Sequence, residues 1–84
     1  MSLDESVIKL HYNINMETPK KAFSKKIRAI RDKKKMTQAE VALKAGITVN
    51  YYSRVERGEE NPTYDTIMAL AKALGVKSSD ILPF

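Results

Sequence analysis

The sequence contains no cysteine and a single histidine, His11. Disulfide staples and cysteine-ligated metal sites are therefore excluded, and His11 cannot form a zinc site alone. No apolar run approaches the roughly 18 residues of a membrane span, so no membrane association is expected. The chain opens MSLDES, acidic where a secretory leader is basic, so no leader is expected and a cytoplasmic location is the simplest assignment. There is no glycine-rich phosphate loop and no set of nucleophile, base and acid. Neither an enzyme nor a cofactor is expected. The 84 residues suit one small domain. A chain this short buries only about 60–65% of its unfolded surface, so support from a second copy is expected.

What the sequence does have is concentrated charge. Residues 20–35 hold nine basic side chains and one acid, Asp32, for a net +8. The rest of the chain is net −3. A basic pole on a near-neutral body fits a polyanion partner; a solvated lysine-rich helix face is the plainer alternative.

Along the chain, Ile8, Leu10, Tyr12, Ile14 and Met16 alternate with polar residues, the period-two pattern of a half-buried strand. With no second strand evident, its mate would be the same strand of another subunit about a twofold axis. A loose arm is the alternative. Thr18-Pro19 is a helix start, and Phe23, Ile27 and Ile30 form one apolar stripe of a helix running to about Lys34. Thr37-Gln38-Ala39-Glu40 is a capping box opening a second helix, which Gly46 ends. Thr48 caps a third helix over about Val49 to Arg57, ended by Gly58. Thr63 caps a fourth with Ile67, Leu70, Ala71 and Leu74 on its stripe, and Gly75 closes it. Ser78 or Ser79 opens a final short turn holding Ile81 and Leu82. In the third helix the pattern sends Tyr52 and Val55 inward and leaves Tyr51 out. A buried Tyr52 hydroxyl needs a partner, and the sequence does not name one.

Residues 24–82 resemble the Cro/repressor-type helix-turn-helix family, also called the XRE family. The segments IRAIRDKKKMTQAEVALKAGI and YYSRVERGEENPTYDTIMALAKALGV carry the resemblance. Thr37-Gln38, Ala42, Gly46, Glu56-Arg57-Gly58, Pro62 and Leu70-Ala71 stand at mutually consistent spacings. The resemblance implies an all-α, five-helix, lambda-repressor-like DNA-binding domain over residues 18–84; the strand-like arm of residues 1–17, read from its own alternation, precedes it and lies outside the resemblance. It implies a dimeric, sequence-specific transcriptional regulator with its third helix in the major groove of a palindromic operator.

Carried over by position, Val49, Asn50 and Arg54 are the base-contacting candidates. Asn50 can pair with adenine and Arg54 with guanine, while Val49 can only pack on a thymine methyl. Many relatives have a polar residue at the Val49 position. Ser53 is small enough to allow close approach. Gln38 and Thr48 fall at helix N-termini beside phosphates. Tyr51, Lys35 and Arg57 are further phosphate candidates, with Lys25, Lys26 and Lys44 behind them. For Asn50 and Arg54 the alternative is a solvated helix residue. The resemblance also implies a structural ion pair between Arg31 and Glu56. Lys35 stands where many relatives have glycine, and a left-handed lysine there would cost about 1 kcal/mol.

A second class of function, a protein-interaction module such as an antitoxin holding a toxin, would use the arm and an exposed Ile81, Leu82 and Phe84 tail. Phage repressor and restriction–modification controller are open as well. Dimerisation has two candidate surfaces: the arm, or the fourth helix with the tail.

Overall fold

A computed structural model of the chain describes residues 18–82. The expected arm, with His11, lies outside the described residues, as do Pro83 and Phe84. The described chain is all-α: α1 (Pro19–Lys33), α2 (Gln38–Ala45), α3 (Val49–Glu56), α4 (Tyr64–Leu74) and a 3₁₀ turn (Ser78–Asp80).

The expectation of five helices is corrected to four. The last element is a single 3₁₀ turn, because only a few residues separate its start at Ser78 from Pro83, which has no N–H to extend it. The exposed tail is corrected at Ile81, while Leu82 is half-buried and Phe84 lies outside the described residues. Ile81 is completely buried beside Leu70, Ala71 and Leu74, because the turn folds the chain back onto α4.

All four helices begin in the same way. Thr18, Thr37, Thr48 and Thr63 each stand outside the helix in extended conformation, and each hydroxyl accepts the N–H three residues on. Glu40 completes the box at α2 by accepting the Thr37 N–H at 2.7 Å. The helices also end alike. Lys35, Gly46, Gly58 and Gly75 follow the four helices with φ between +56° and +77°. In each case the N–H of that residue and the next return to carbonyls of the last turn, as in Lys35 to Asp32 and Met36 to Arg31. This is the Schellman arrangement, which normally takes glycine at the left-handed position. The three glycines of the chain fill three of these places and Lys35 fills the fourth.

Between these ends, helical spacing collects one core. Phe23 and Ile27 come from α1, Val41 and Ala42 from α2, Tyr52 and Val55 from α3, and Leu70, Ala71 and Leu74 from α4. Each large apolar side chain so buried contributes about 1.5–3 kcal/mol. α2 packs most extensively on α4 and also against α3, while α3 packs on α1. The helical hairpin of α2 and α3 is thereby clamped from behind by α1 and α4. The basic helix α1 contributes more than charge. Lys21 donates to the Arg57 carbonyl at 3.2 Å and Lys26 to the Leu82 carbonyl at 2.5 Å. The first places a cation at the negative end of α3. The Lys21 stem also fills the space over Gly58, where an added Cβ would come within 2.7 Å of its Cδ.

Candidate nucleic-acid interface

α3 has two sides with opposite duties. Its inner side carries Tyr52 and Val55, both fully buried, and Glu56, which is only 4% exposed. A carboxylate so placed must gather donors to stay charged. Glu56 gathers four. Arg31 Nε reaches Oε2 at 2.6 Å and Arg31 Nη2 reaches Oε1 at 2.9 Å, a bidentate pair. Gln38 Nε2 donates to Oε1 at 2.8 Å, and the Tyr52 hydroxyl donates to Oε2 at 2.6 Å. Arg31 spends its remaining Nη1 on the Met36 carbonyl at 2.9 Å. The cluster ties α1, α2 and α3 together at one point.

Its electrostatics follow from that wiring. Burial opposes the charge on Glu56. The donors from Arg31, Tyr52 and Gln38, together with the Arg31 charge, outweigh it and hold the carboxyl below the usual carboxylate value. Arg31 is raised by its hydrogen bond to Glu56. Tyr52 is raised by burial first and by donating to Glu56 second, so its proton stays on the hydroxyl.

The cluster supplies the partner for Tyr52 that the sequence left unnamed. Tyr52 and Glu56 stand at i and i+4 on one helix, a spacing at which side chains meet, so the pair was readable. The same cluster changes two of the expected contact residues. Gln38 is half-buried, its amide nitrogen on Glu56 and its amide oxygen accepting from Ser53 Oγ at 3.0 Å. Gln38 and Ser53 are therefore braced against each other, both half-buried. One Gln38 amide hydrogen is left to point outward.

The outer side of α3 is open. Val49 is 44% exposed, and Asn50 is exposed beside it at the helix start. The Thr48 hydroxyl accepts the Tyr51 N–H at 3.0 Å, so one of its lone pairs is used by the cap and its proton remains available. One turn on, Arg54 Nε donates to Glu60 Oε2 at 3.0 Å, and its guanidinium lies 6.0 Å from the centre of the Tyr51 ring. Tyr51 thus serves as a neighbour of Arg54 through its ring. Arg57, close to one turn beyond Arg54, is occupied by another acid: Nε and Nη2 meet the two oxygens of Glu59 at 2.8 and 3.1 Å. That hydrogen-bonded pair raises Arg57 and lowers Glu59. Lys35, at φ +56°, stands in the turn that leads into α2.

Val49, Asn50 and Arg54 are all exposed: Asn50 and Arg54 share one face at i and i+4, and Val49 stands at the helix start beside Thr48. Ser53 and Gln38 are half-buried, Ser53 lying at i+4 from Val49 and i+3 from Asn50. The two acids Glu59 and Glu60, each holding an arginine of this surface, were not singled out by sequence. Arg54 and Glu60 are six residues apart across the Gly58 turn, a separation that helical periodicity does not connect. Among the described residues no helix is long and apolar enough to cross a membrane, and no cluster of His, Cys, Asp or Glu side chains could hold a metal ion.

The helix-turn-helix family model matches residues 27–81. The chain is 40% identical over 63 residues to the control protein C.BamHI of Bacillus amyloliquefaciens, spanning 74% of this chain and 78% of that one. It is 40% identical over 57 residues to the immunity repressor protein of Bacillus phage phi105, spanning 68% of this chain. That match covers only 40% of the phage repressor's length. Among solved structures, the restriction-modification controller protein C.AhdI from Aeromonas hydrophila superposes with a TM-score of 0.73 at 28% identity, covering 75% of this chain and 96% of that chain. The hypothetical transcription factor NHTF from Neisseria superposes with a TM-score of 0.74 at 30% identity, covering 79% and 76%.

Proposed function

The chain belongs to the helix-turn-helix family, in its XRE form, and we propose that it regulates transcription as a dimer bound to a palindromic double-stranded operator. The observation that carries this reading is the division of α3. Its inner side is locked to α1 and α2 through Glu56, while Val49, Asn50 and Arg54 are left exposed, Asn50 and Arg54 on the opposite face. A rigid helix with a free polar row is what major-groove reading requires.

In this reading Asn50 pairs with an adenine edge, Arg54 with a guanine edge and Val49 with a thymine methyl. Ser53 acts by fixing Gln38. Thr48, Gln38 and Lys35 face phosphates at the starts of α3 and α2. Arg57 is left out of the phosphate set, since Glu59 already fills its fork. The dimer forms either through residues 1–17 or through α4 with the C-terminal turn. Removal of residues 1–17 followed by a solution mass measurement separates the two, an unchanged dimer rejecting the arm.

A gel-shift titration against a random-sequence duplex pool tests the reading. Binding should be salt-sensitive, with log affinity falling against log salt at a slope of about −7 if the dimer neutralises about eight phosphates. No duplex binding at low salt would overturn it.

The narrower role of restriction–modification controller is supported by coverage. The likeness spans 96% of C.AhdI and 78% of C.BamHI but only 40% of the phage repressor. Absence of endonuclease and methyltransferase genes beside the gene for this chain would remove that role.

A further inference from the structure

The two arginines near the end of α3 are held by acids in different ways. Arg57 offers Nε and Nη2 together to Glu59, so its two-pronged edge is filled. Arg54 offers only Nε to Glu60. Among the described residues its Nη1 and Nη2 groups have no hydrogen-bond partner. The Tyr51 ring lies beside the guanidinium at 6.0 Å. Arg54 is thus held at its stem by a carboxylate and over an aromatic ring, with its terminal nitrogens turned loose.

The backbone explains how Glu60 arrives there. The Glu59 N–H closes on the Arg54 carbonyl at 2.9 Å after the left-handed Gly58. The chain therefore doubles back along the last turn of α3 and carries Glu60 to the level of Arg54. An exposed ion pair of this kind adds little to stability, so folding does not explain it. Arginine loses considerable rotamer freedom on binding, and a guanidinium already fixed at one nitrogen loses less.

Resting on the reading of Arg54 as a base reader, we propose that Glu60 is a positioning residue for DNA recognition. Together with the Tyr51 ring, it presents the Nη1/Nη2 edge of Arg54 for two-pronged pairing with a guanine. Glu60 therefore sets the guanine preference at one base position without touching DNA. Glu59 does the reverse for Arg57, withdrawing it from the interface.

The test needs a readout that separates positioning from plain charge. Removing the Glu60 charge beside a polyanion raises affinity for every duplex, so total affinity does not decide the matter. The measurement is selection of bound sequences from a random duplex pool by the full chain and by Glu60→Gln, Arg54→Ala and the double variant. The wild-type chain should enrich a guanine at a position where Arg54→Ala enriches none. Glu60→Gln should cut that preference by about three- to tenfold, a loss of the size expected for loosening one good base contact. Preferences at the other positions should stay in place, and adding Glu60→Gln to Arg54→Ala should change nothing further there. An unchanged guanine preference in Glu60→Gln, or an equal loss at all positions, would overturn the role of Glu60 while leaving DNA recognition standing. If the wild-type chain enriches no sequence, the proposed function falls and the role of Glu60 with it.

Discussion

Arg31–Glu56 and Arg54–Glu60 are two arginine–glutamate pairs on opposite sides of the same helix. The inner pair is 2.6 Å long, with side chains 15% and 5% exposed. The outer pair is 3.0 Å long, with side chains 44% and 37% exposed. Water competes weakly for the first and freely for the second, so the same chemistry has different consequences. Inside, the carboxylate must be fully coordinated, and it draws Arg31, Gln38 and Tyr52 onto one point. Outside, a single contact suffices, and the unused donors remain available to a partner. Burial, more than residue type, separates the group that holds α3 from the group that α3 presents.

The largest expected effect comes from breaking the inner pair. Glu56→Ala leaves the Arg31 charge and the Tyr52 hydroxyl without their acceptor, at a cost of about 3–5 kcal/mol in unfolding free energy. A domain of this class has only about 5–15 kcal/mol in all, so denaturant unfolding should show a severe loss. A loss under about 1 kcal/mol would place the inner pair in the class of surface pairs and erase the contrast. The milder Glu56→Gln gives a pH signature. Because the folded carboxyl titrates below its unfolded value of 4.5, its charge stabilises the fold fully above that value. The contribution is lost as pH falls through the lower, folded value. Melting temperature against pH should therefore fall less steeply in acid for Glu56→Gln than for the wild-type chain. Some acid sensitivity will persist, since Glu40 and Glu59 are also lowered by their hydrogen bonds to Thr37 and Arg57. Parallel acid limbs would reject Glu56 as a contributor.

The outer pair should respond in the opposite sense. Arg54→Ala should leave stability within about 0.5 kcal/mol, as for other exposed substitutions. On a selected operator it should weaken binding by about 1–3 kcal/mol and relax preference at one base position. A large stability loss would show that both sides of α3 are structural, and equal weakening on every duplex would remove Arg54 as a base reader.

Much of this contrast is legible in the sequence. The four threonine caps, the glycine ends and the apolar stripes are local signals, and local rules read them. The inward turn of Tyr52 and the outward turn of Asn50 and Arg54 follow from helical spacing. What the sequence hides is tertiary. Gln38 reaches Glu56 and Ser53 only because α2 and α3 cross, and Glu60 reaches Arg54 only because Gly58 reverses the chain. Ile81 reads as part of an exposed tail because it follows three polar residues, Ser78, Ser79 and Asp80. Its burial depends on where the 3₁₀ turn sets it down against α4. The charge of residues 20–35 is legible as a total, but not its division. Arg31, Lys21 and Lys26 are used within the fold, which leaves fewer cations of that pole for a polyanion.

Lys35 belongs to both halves of the comparison, and its replacement separates them. It occupies the left-handed end of α1 at φ +56°, the place that glycine takes at the other three helix ends. Its backbone therefore weighs against stability, while its side chain, at the turn into α2, is the proposed phosphate contact. Lys35→Gly relieves about 1 kcal/mol of left-handed strain. The greater freedom of glycine in the unfolded chain returns part of this, so the net gain should lie between zero and about 1 kcal/mol in denaturant unfolding. If Lys35 meets a phosphate in each subunit, the same variant should make the salt slope shallower by about 1.8 for the dimer. A more stable protein with a shallower slope would show that the lysine serves the outer surface at the expense of the fold. A gain in stability with an unchanged slope would take Lys35 out of the interface and leave its strain without a functional counterpart.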